Sequence, residues 1–92
     1  MLFDWDPKKA ATNRRKHGVS FEEAKTVFFD EEAMVYDDPD HSLTEERFLI
    51  LGLSRRPRAL IVVHCHREEG IRLISARPAT RNEERTYWEQ RR

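Results

Sequence analysis

Apolar and polar positions follow two rhythms along this chain. Leu2-Phe3-Asp4-Trp5-Asp6 alternates with a period of two, which predicts a short strand. Asp6 followed by Pro7 is an N-cap and first-turn pair, and Gly18 sits where a helix would stop, so residues 7–17 are predicted helical. The basic run Arg14, Arg15, Lys16, His17 suits the negative end of that helix's macrodipole. Ser20-Phe21-Glu22-Glu23 then forms a capping box, with Val19 and Ala24 placed as a hydrophobic staple. A second helix is expected to run to about Phe28, with Phe21, Ala24 and Phe28 on one face.

From Ala33 the rhythm becomes that of strands. Residues 33–37 and 46–54 read as two of them, separated by the turn-rich stretch DDPDHSLT. After the turn SRRPR, ALIVVHCHR and GIRLISAR flank Glu68-Glu69-Gly70 as a hairpin. A three-residue loop with Gly70 in the left-handed region would pair Arg67 with Ile71, His66 with Arg72, His64 with Ile74 and Val62 with Ala76. That register gathers Ile61, Val63, Cys65, Ile71 and Leu73 on one face and keeps Arg72 out of it. It also sets His64, His66 and Arg72 side by side on the more open face. Thr80-Arg81-Asn82-Glu83 is a second capping box and opens a C-terminal helix whose large apolar residues are Tyr87 and Trp88. So small an apolar stripe predicts weak docking.

Composition narrows the class. Ninety-two residues with 38% apolar positions suit one small folded domain, residues 1–92, despite 37% charged residues. No stretch is apolar enough to span a bilayer, the N-terminus lacks a signal-peptide core, and a single cysteine, Cys65, supports neither a disulfide framework nor a cysteine-based zinc site. A cytoplasmic location is the expectation. The net charge of zero hides an asymmetry: residues 31–54 carry seven acids against one arginine, whereas residues 55–92 carry ten arginines, no lysine and five glutamates. Arginine alone points to planar, bidentate contacts with carboxylate or phosphate. The neutral balance argues against a protein that coats nucleic acid by bulk charge.

Arg72 inside an apolar strand and Arg77 at its exit raise the sharpest question, because buried guanidiniums are costly unless paired. Facing a phosphodiester would account for both. Metal-free RNA cleavage needs a proton acceptor, a proton donor and cations for the developing charge, which His64, His66 and Arg72 would supply together; a lone strand histidine is also commonly structural. Lys9, Asn13, Lys16 and His17 lie along one helical stripe suited to phosphate, or to a solvated helix end. Glu46 and Arg47 read as a surface pair, with Arg47 in reach of the open face. Asp37, Asp38, Asp40 and His41 lack defined ligand spacing, and an acidic turn built on Pro39 explains them better than a metal. No cofactor motif is present.

FDWDPKKAATNRRKHGVSFEEAKTVF, DPDHSLTEERFLILGLS, ALIVVH and IRLISARPATRNEERTY together resemble the BrnT family of bacterial toxins over nearly the whole chain. The resemblance implies an α+β, RelE-like fold: N-terminal helices packed on a small antiparallel sheet, with a C-terminal helix. It implies RNA cleavage that arrests growth and neutralisation by a BrnA-like DNA-binding antitoxin, in a complex with two toxins. The family's recurrent polar positions fall on Lys9, Asn13, Lys16, His17, Glu46, Arg47, His64, Arg72, Ser75, Arg77, Glu83 and Tyr87. Pro78 departs from the family, which commonly has a basic residue there. The expected roles are charge stabilisation for Arg72 and Arg77, acid or base chemistry for His64, and proton transfer or base stacking for Tyr87. Lys9, Lys16, His17 and Arg47 would position the RNA backbone, with no metal required. A non-catalytic nucleic-acid-binding module, or a partner-binding protein, is the alternative.

Overall fold

A computed structural model describes residues 2–39 and 45–90. Strand β1 (Leu2–Asp4) leads into helix α1 (Pro7–His17), then helix α2 (Phe21–Ala24), which tightens into a 3₁₀ turn at Lys25–Phe29. Strands β2 (Met34–Asp37), β3 (Phe48–Leu53), β4 (Ala59–Arg67) and β5 (Gly70–Pro78) follow, and helix α3 (Arg81–Gln90) closes the order. The sheet runs β1-β5-β4-β3-β2. Four strands are antiparallel as expected, but β1 joins β5 in parallel. This is an α+β fold with a mixed sheet.

Local signals set the helix ends. Asp6 accepts the Lys8 N–H at 2.8 Å, and Gly18 adopts φ 70°, where its N–H reaches the Arg14 carbonyl. Thr80 and Glu83 make a reciprocal capping box, each side chain accepting the other's backbone N–H at 3.2 and 2.8 Å. The Ser20 box is only half formed. Ser20 accepts the Glu23 N–H, whereas the Glu23 carboxylate turns inward to accept three bonds, two from Arg58 and one from the Ser54 hydroxyl. Burial of that carboxylate makes the pair a structural unit, since removing Arg58 would strand an ion in the core.

The two faces of the sheet differ in how they are covered. Leu60 and Val62 of β4, Ile50 of β3, and Ile71, Leu73 and Ala76 of β5 pack with Val19, Phe21, Ala24 and Val27 in the main core beneath α1 and α2. On the other face Leu51, Ala59, Ile61 and Tyr87 form a smaller cluster under α3. Among the described residues no helix covers the sheet beyond α3 on this second face.

The β4–β5 hairpin departs from the expected register at its tip. Arg67 pairs with Gly70 across a two-residue turn, so His66 faces Ile71, Cys65 faces Arg72 and His64 faces Leu73. A bulge between Val63 and His64 takes up Ile74, and beyond it Val62 faces Ala76 as the longer loop would have required. Gly70 has no positive φ. It is glycine because the Leu2 carbonyl of β1 passes where a Cβ would stand.

Candidate functional site

The corrected register separates the histidines from the arginine. Strand alternation puts His64 and His66 with Val62 on the helix-covered face, and Arg72 with Cys65 on the opposite one. His64 is 2% exposed, with its ring 4.8 Å from Phe28 and 5.9 Å from Phe48, and burial pushes its imidazole below the usual histidine range. Its Nδ1 lies 3.3 Å from the Val62 carbonyl. The expectation that His64, His66 and Arg72 share an open face is therefore corrected. Two features hid this: the bulge, and the fact that residues 59–62 of β4 are apolar on both faces because both are covered there.

The open face carries four guanidiniums. Arg72 donates to Asp4 at 3.1 Å across the β1–β5 pair, and Arg77 forks onto both oxygens of Glu83 at 2.8 and 2.9 Å. Arg67 donates to Glu45 at 2.7 Å, and the same carboxylate lies 3.9 Å from Arg47 Nε. The partner of Arg47 is thus Glu45, not Glu46. The Arg47 Nε is buried and makes no hydrogen bond. Hydrogen bonds from Arg77 hold the Glu83 carboxyl down to about 2. Each pair fixes a long side chain in one orientation, in advance of any ligand. Between them the face shows Leu49 and Val63, with Ser75 opposite Val63 and Tyr36 opposite Leu49.

A second, lysine-lined feature adjoins β5. Beyond Arg72, β1 no longer pairs with β5, and α1 takes its place along that edge. Asn13 acts as a surrogate strand there, accepting the Ala76 N–H at 3.0 Å and donating to the Ala76 carbonyl at 2.9 Å. It also donates to the Val19 carbonyl, so it holds the helix rather than a ligand. Between α1 and the bulged stretch Ile74–Ser75 lies a cleft of about 310 Å³, rimmed by Lys8, Lys9, Lys16 and His17, with Thr12 beside them. None of its lining residues is acidic.

Ser75 belongs to both features: it lines the cleft and points to the face of Arg72 and Arg77. The structure thus brings Lys9, Lys16 and His17 together, sets Arg47, Arg72 and Arg77 on one neighbouring face, and leaves His64 and Tyr87 in the interior. Tyr87 is fully buried, and its hydroxyl donates to Asp30 at 2.6 Å. Lys8, Thr12 and Arg67 were missed by sequence reasoning. Lys8 sits one turn ahead of Thr12 and two ahead of Lys16 on the stripe, a periodicity that would have found it. Arg67 gave no local signal. Asp40 and His41 lie outside the described residues; among the described residues no group of three or more His, Cys, Asp or Glu is placed to hold a metal ion. No described helix is long and apolar enough to cross a membrane.

The family described as "Ribonuclease toxin, BrnT, of type II toxin-antitoxin system" matches residues 5–83. The chain belongs to the BrnT family. Among solved structures, the ribonuclease toxin BrnT of Brucella abortus superposes with a TM-score of 0.68 at 21% identity, covering 88% of this chain and all of that one. At that identity the likeness speaks for the fold. No curated protein matches the chain. The BrnT match takes in β5 with both arginines, the α1 cleft and Glu83 at the start of α3.

Proposed function

We propose that this BrnT-family chain is a metal-independent endoribonuclease that arrests growth and is neutralised by a cognate antitoxin. The observation that carries the reading is Ser75, at the join between a cleft of lysines without acids and a sheet face of arginines held by carboxylates. The two halves suit different tasks. Among the described residues the lysines have no ion-pair partner to give up, so they suit the RNA backbone and supply affinity. Arg72 and Arg77 are already oriented, and their guanidiniums suit the charge that develops on phosphorus.

The chemistry is attack of a ribose 2′-oxygen on the adjacent phosphorus, with departure of the 5′-oxygen and formation of a 2′,3′-cyclic phosphate. The 2′-hydroxyl gives its proton to a base as its oxygen attacks, the 5′-oxygen takes up a proton as it leaves, and a histidine that moves either one must be able to meet the substrate. His17 lines the cleft, whereas His64 is enclosed by Phe28 and Phe48. We therefore assign acid or base chemistry to His17 and a packing role to His64. Tyr87 then serves to seat α3, and Arg47 widens the cationic face.

The partner would be a BrnA-like antitoxin that dimerises through a DNA-binding part and holds two toxins, docking an acidic segment on the arginine face. Expression of the chain alone should arrest growth, and co-expression of the neighbouring small reading frame should rescue it. Unimpaired growth on expression of folded protein would favour the alternative, a binding module without catalysis.

A further inference from the structure

We propose that a recess between α1 and the β3–β4 turn, ringed by Arg14, Arg55 and Arg56, is a second phosphate site that holds the RNA strand beyond the cleavage point. It rests on the RNA reading above and extends it, since none of these three residues belongs to the cleft or to the arginine face. The recess has a volume of about 390 Å³ and includes Gly18 and Ser20 in its wall.

The turn is built rigidly with its arginine side chains left over. Ser54 donates its N–H to the Arg58 carbonyl at 3.0 Å, closing the turn. The Arg55 N–H binds the Thr26 hydroxyl at 2.9 Å and the Arg56 N–H binds the Ser54 hydroxyl at 3.2 Å, which moors both backbones. Arg58 then spans to α1, donating to the Gly18 carbonyl at 3.0 Å and to Glu23. That bridge brings the last turn of α1, with Arg14, against the β3–β4 turn.

Four arginines elsewhere in the fold are matched by acids, Arg58 with Glu23, Arg67 with Glu45, Arg72 with Asp4 and Arg77 with Glu83, whereas Arg15, Arg81 and Arg85 lie singly on exposed helix surface with no ion pair among the described residues. Arg14, Arg55 and Arg56 are exposed and have no ion pair within the described residues. The acid deepest in the recess, Glu23, takes its hydrogen bonds from Arg58 and Ser54 and none from the three, although the charge of Arg56 acts on it from a distance. Glu22 on the rim leaves an excess of two positive charges among the lining residues apart from that pair. A phosphodiester fits the forked geometry of the three guanidiniums that line the recess.

Continuity with the cleft selects RNA over an acidic peptide as the occupant. The last turn of α1 carries Arg14 on one flank and Lys16 and His17 on the other, and α1 itself contains no acid. One strand can therefore leave the cleft and cross the helix end to the recess without meeting a carboxylate of α1.

The test uses full-length protein and fluorescent 2′-O-methyl RNA, which lacks the attacking hydroxyl, in two lengths of about 4 and about 20 nucleotides. R55A/R56A keeps the moored backbone and should leave the thermal midpoint unchanged. It should weaken the long strand roughly tenfold and flatten its log–log salt slope by about 1.4, the loss of two phosphate contacts. The short strand should bind as it does to the parent. Unchanged affinity and slope for the long strand would overturn the second site while leaving the RNA reading intact. Unchanged RNA binding with weakened capture of the acidic antitoxin would overturn it in favour of a protein-docking surface. Failure of the parent to bind either length would remove the RNA reading itself.

Discussion

Tyr87 and Asp30 meet across 57 residues of chain, the phenol donating a 2.6 Å hydrogen bond to the carboxylate in the angle between α3 and the sheet. The same Asp30 oxygen accepts the Leu53 N–H at 2.8 Å, so one carboxylate ties α3 to the end of β3. Around this contact α3 offers little else to bury: Trp88 stays 45% exposed, and Gln90 adds one bond to the Glu32 carbonyl. A helix with so narrow an apolar stripe depends on such a pin.

Tyr87→Phe keeps the ring in the core and deletes only the hydroxyl. Leaving a carboxylate short of a donor costs about 1.5–3 kcal/mol, at roughly 4–8 °C of Tm for each kcal/mol in a domain of this size. Thermal unfolding followed by circular dichroism measures it, and hydrogen exchange in residues 81–90 should rise well above that of β4. An unchanged midpoint would mean that the hydroxyl contributes nothing to holding α3.

His64 gives a pH signature. Because burial holds its imidazole below the ordinary value, the unfolded chain takes up a proton first as the pH falls. Stability tied to His64 is thus intact above about pH 6.5 and is lost progressively as the pH drops toward the folded value. His64→Leu should flatten the dependence of unfolding free energy on pH between about 7 and 5 while RNA cleavage persists. A parallel pH profile in parent and variant would show that His64 is not the sensor.

Which parts of this molecule were legible in its sequence follows from the range of the interactions involved. Asp6-Pro7, Gly18, Ser20 and Thr80 act within one turn of their own position, and each marks a helix end in the structure. The hairpin is a longer-range matter. Alternation of Val62, His64 and His66 showed that they share a face, but not that Phe28 from the 3₁₀ turn would lie on it. Just past the shift at Ile74, α1 fastens the edge of β5 at Ala76 through Asn13, a contact between residues 63 apart. The parallel entry of β1 is equally non-local. For the candidate site, charge type was readable and adjacency was not: Lys9, Lys16 and His17 fall together because they repeat along one helix, whereas Arg47 and Arg72 come together only through the strand order.

Arg72 and His17 separate the proposed chemistry from packing. Arg72 pairs with Asp4 at the exposed edge of the sheet, so Arg72→Ala should leave the fold intact. Loss of one charge-stabilising group costs about 3–4 kcal/mol of barrier, or roughly a hundred- to thousandfold in rate. His17→Ala should lose on the order of a hundredfold or more in kcat with a small change in KM. Single-turnover cleavage assays check both. Full activity in either variant would take that residue out of the reaction.

The most direct measurement is the chemistry of the new RNA ends. Purified protein is incubated with end-labelled RNA in excess EDTA, and the products are resolved before and after phosphatase and after acid opening of cyclic phosphates. Attack by the 2′-oxygen predicts cleavage that survives chelation and leaves a 2′,3′-cyclic phosphate, or the 3′-phosphate derived from it, opposite a free 5′-hydroxyl. Products with 3′-hydroxyl ends, or cleavage that returns only when a divalent metal is added, would contradict the account.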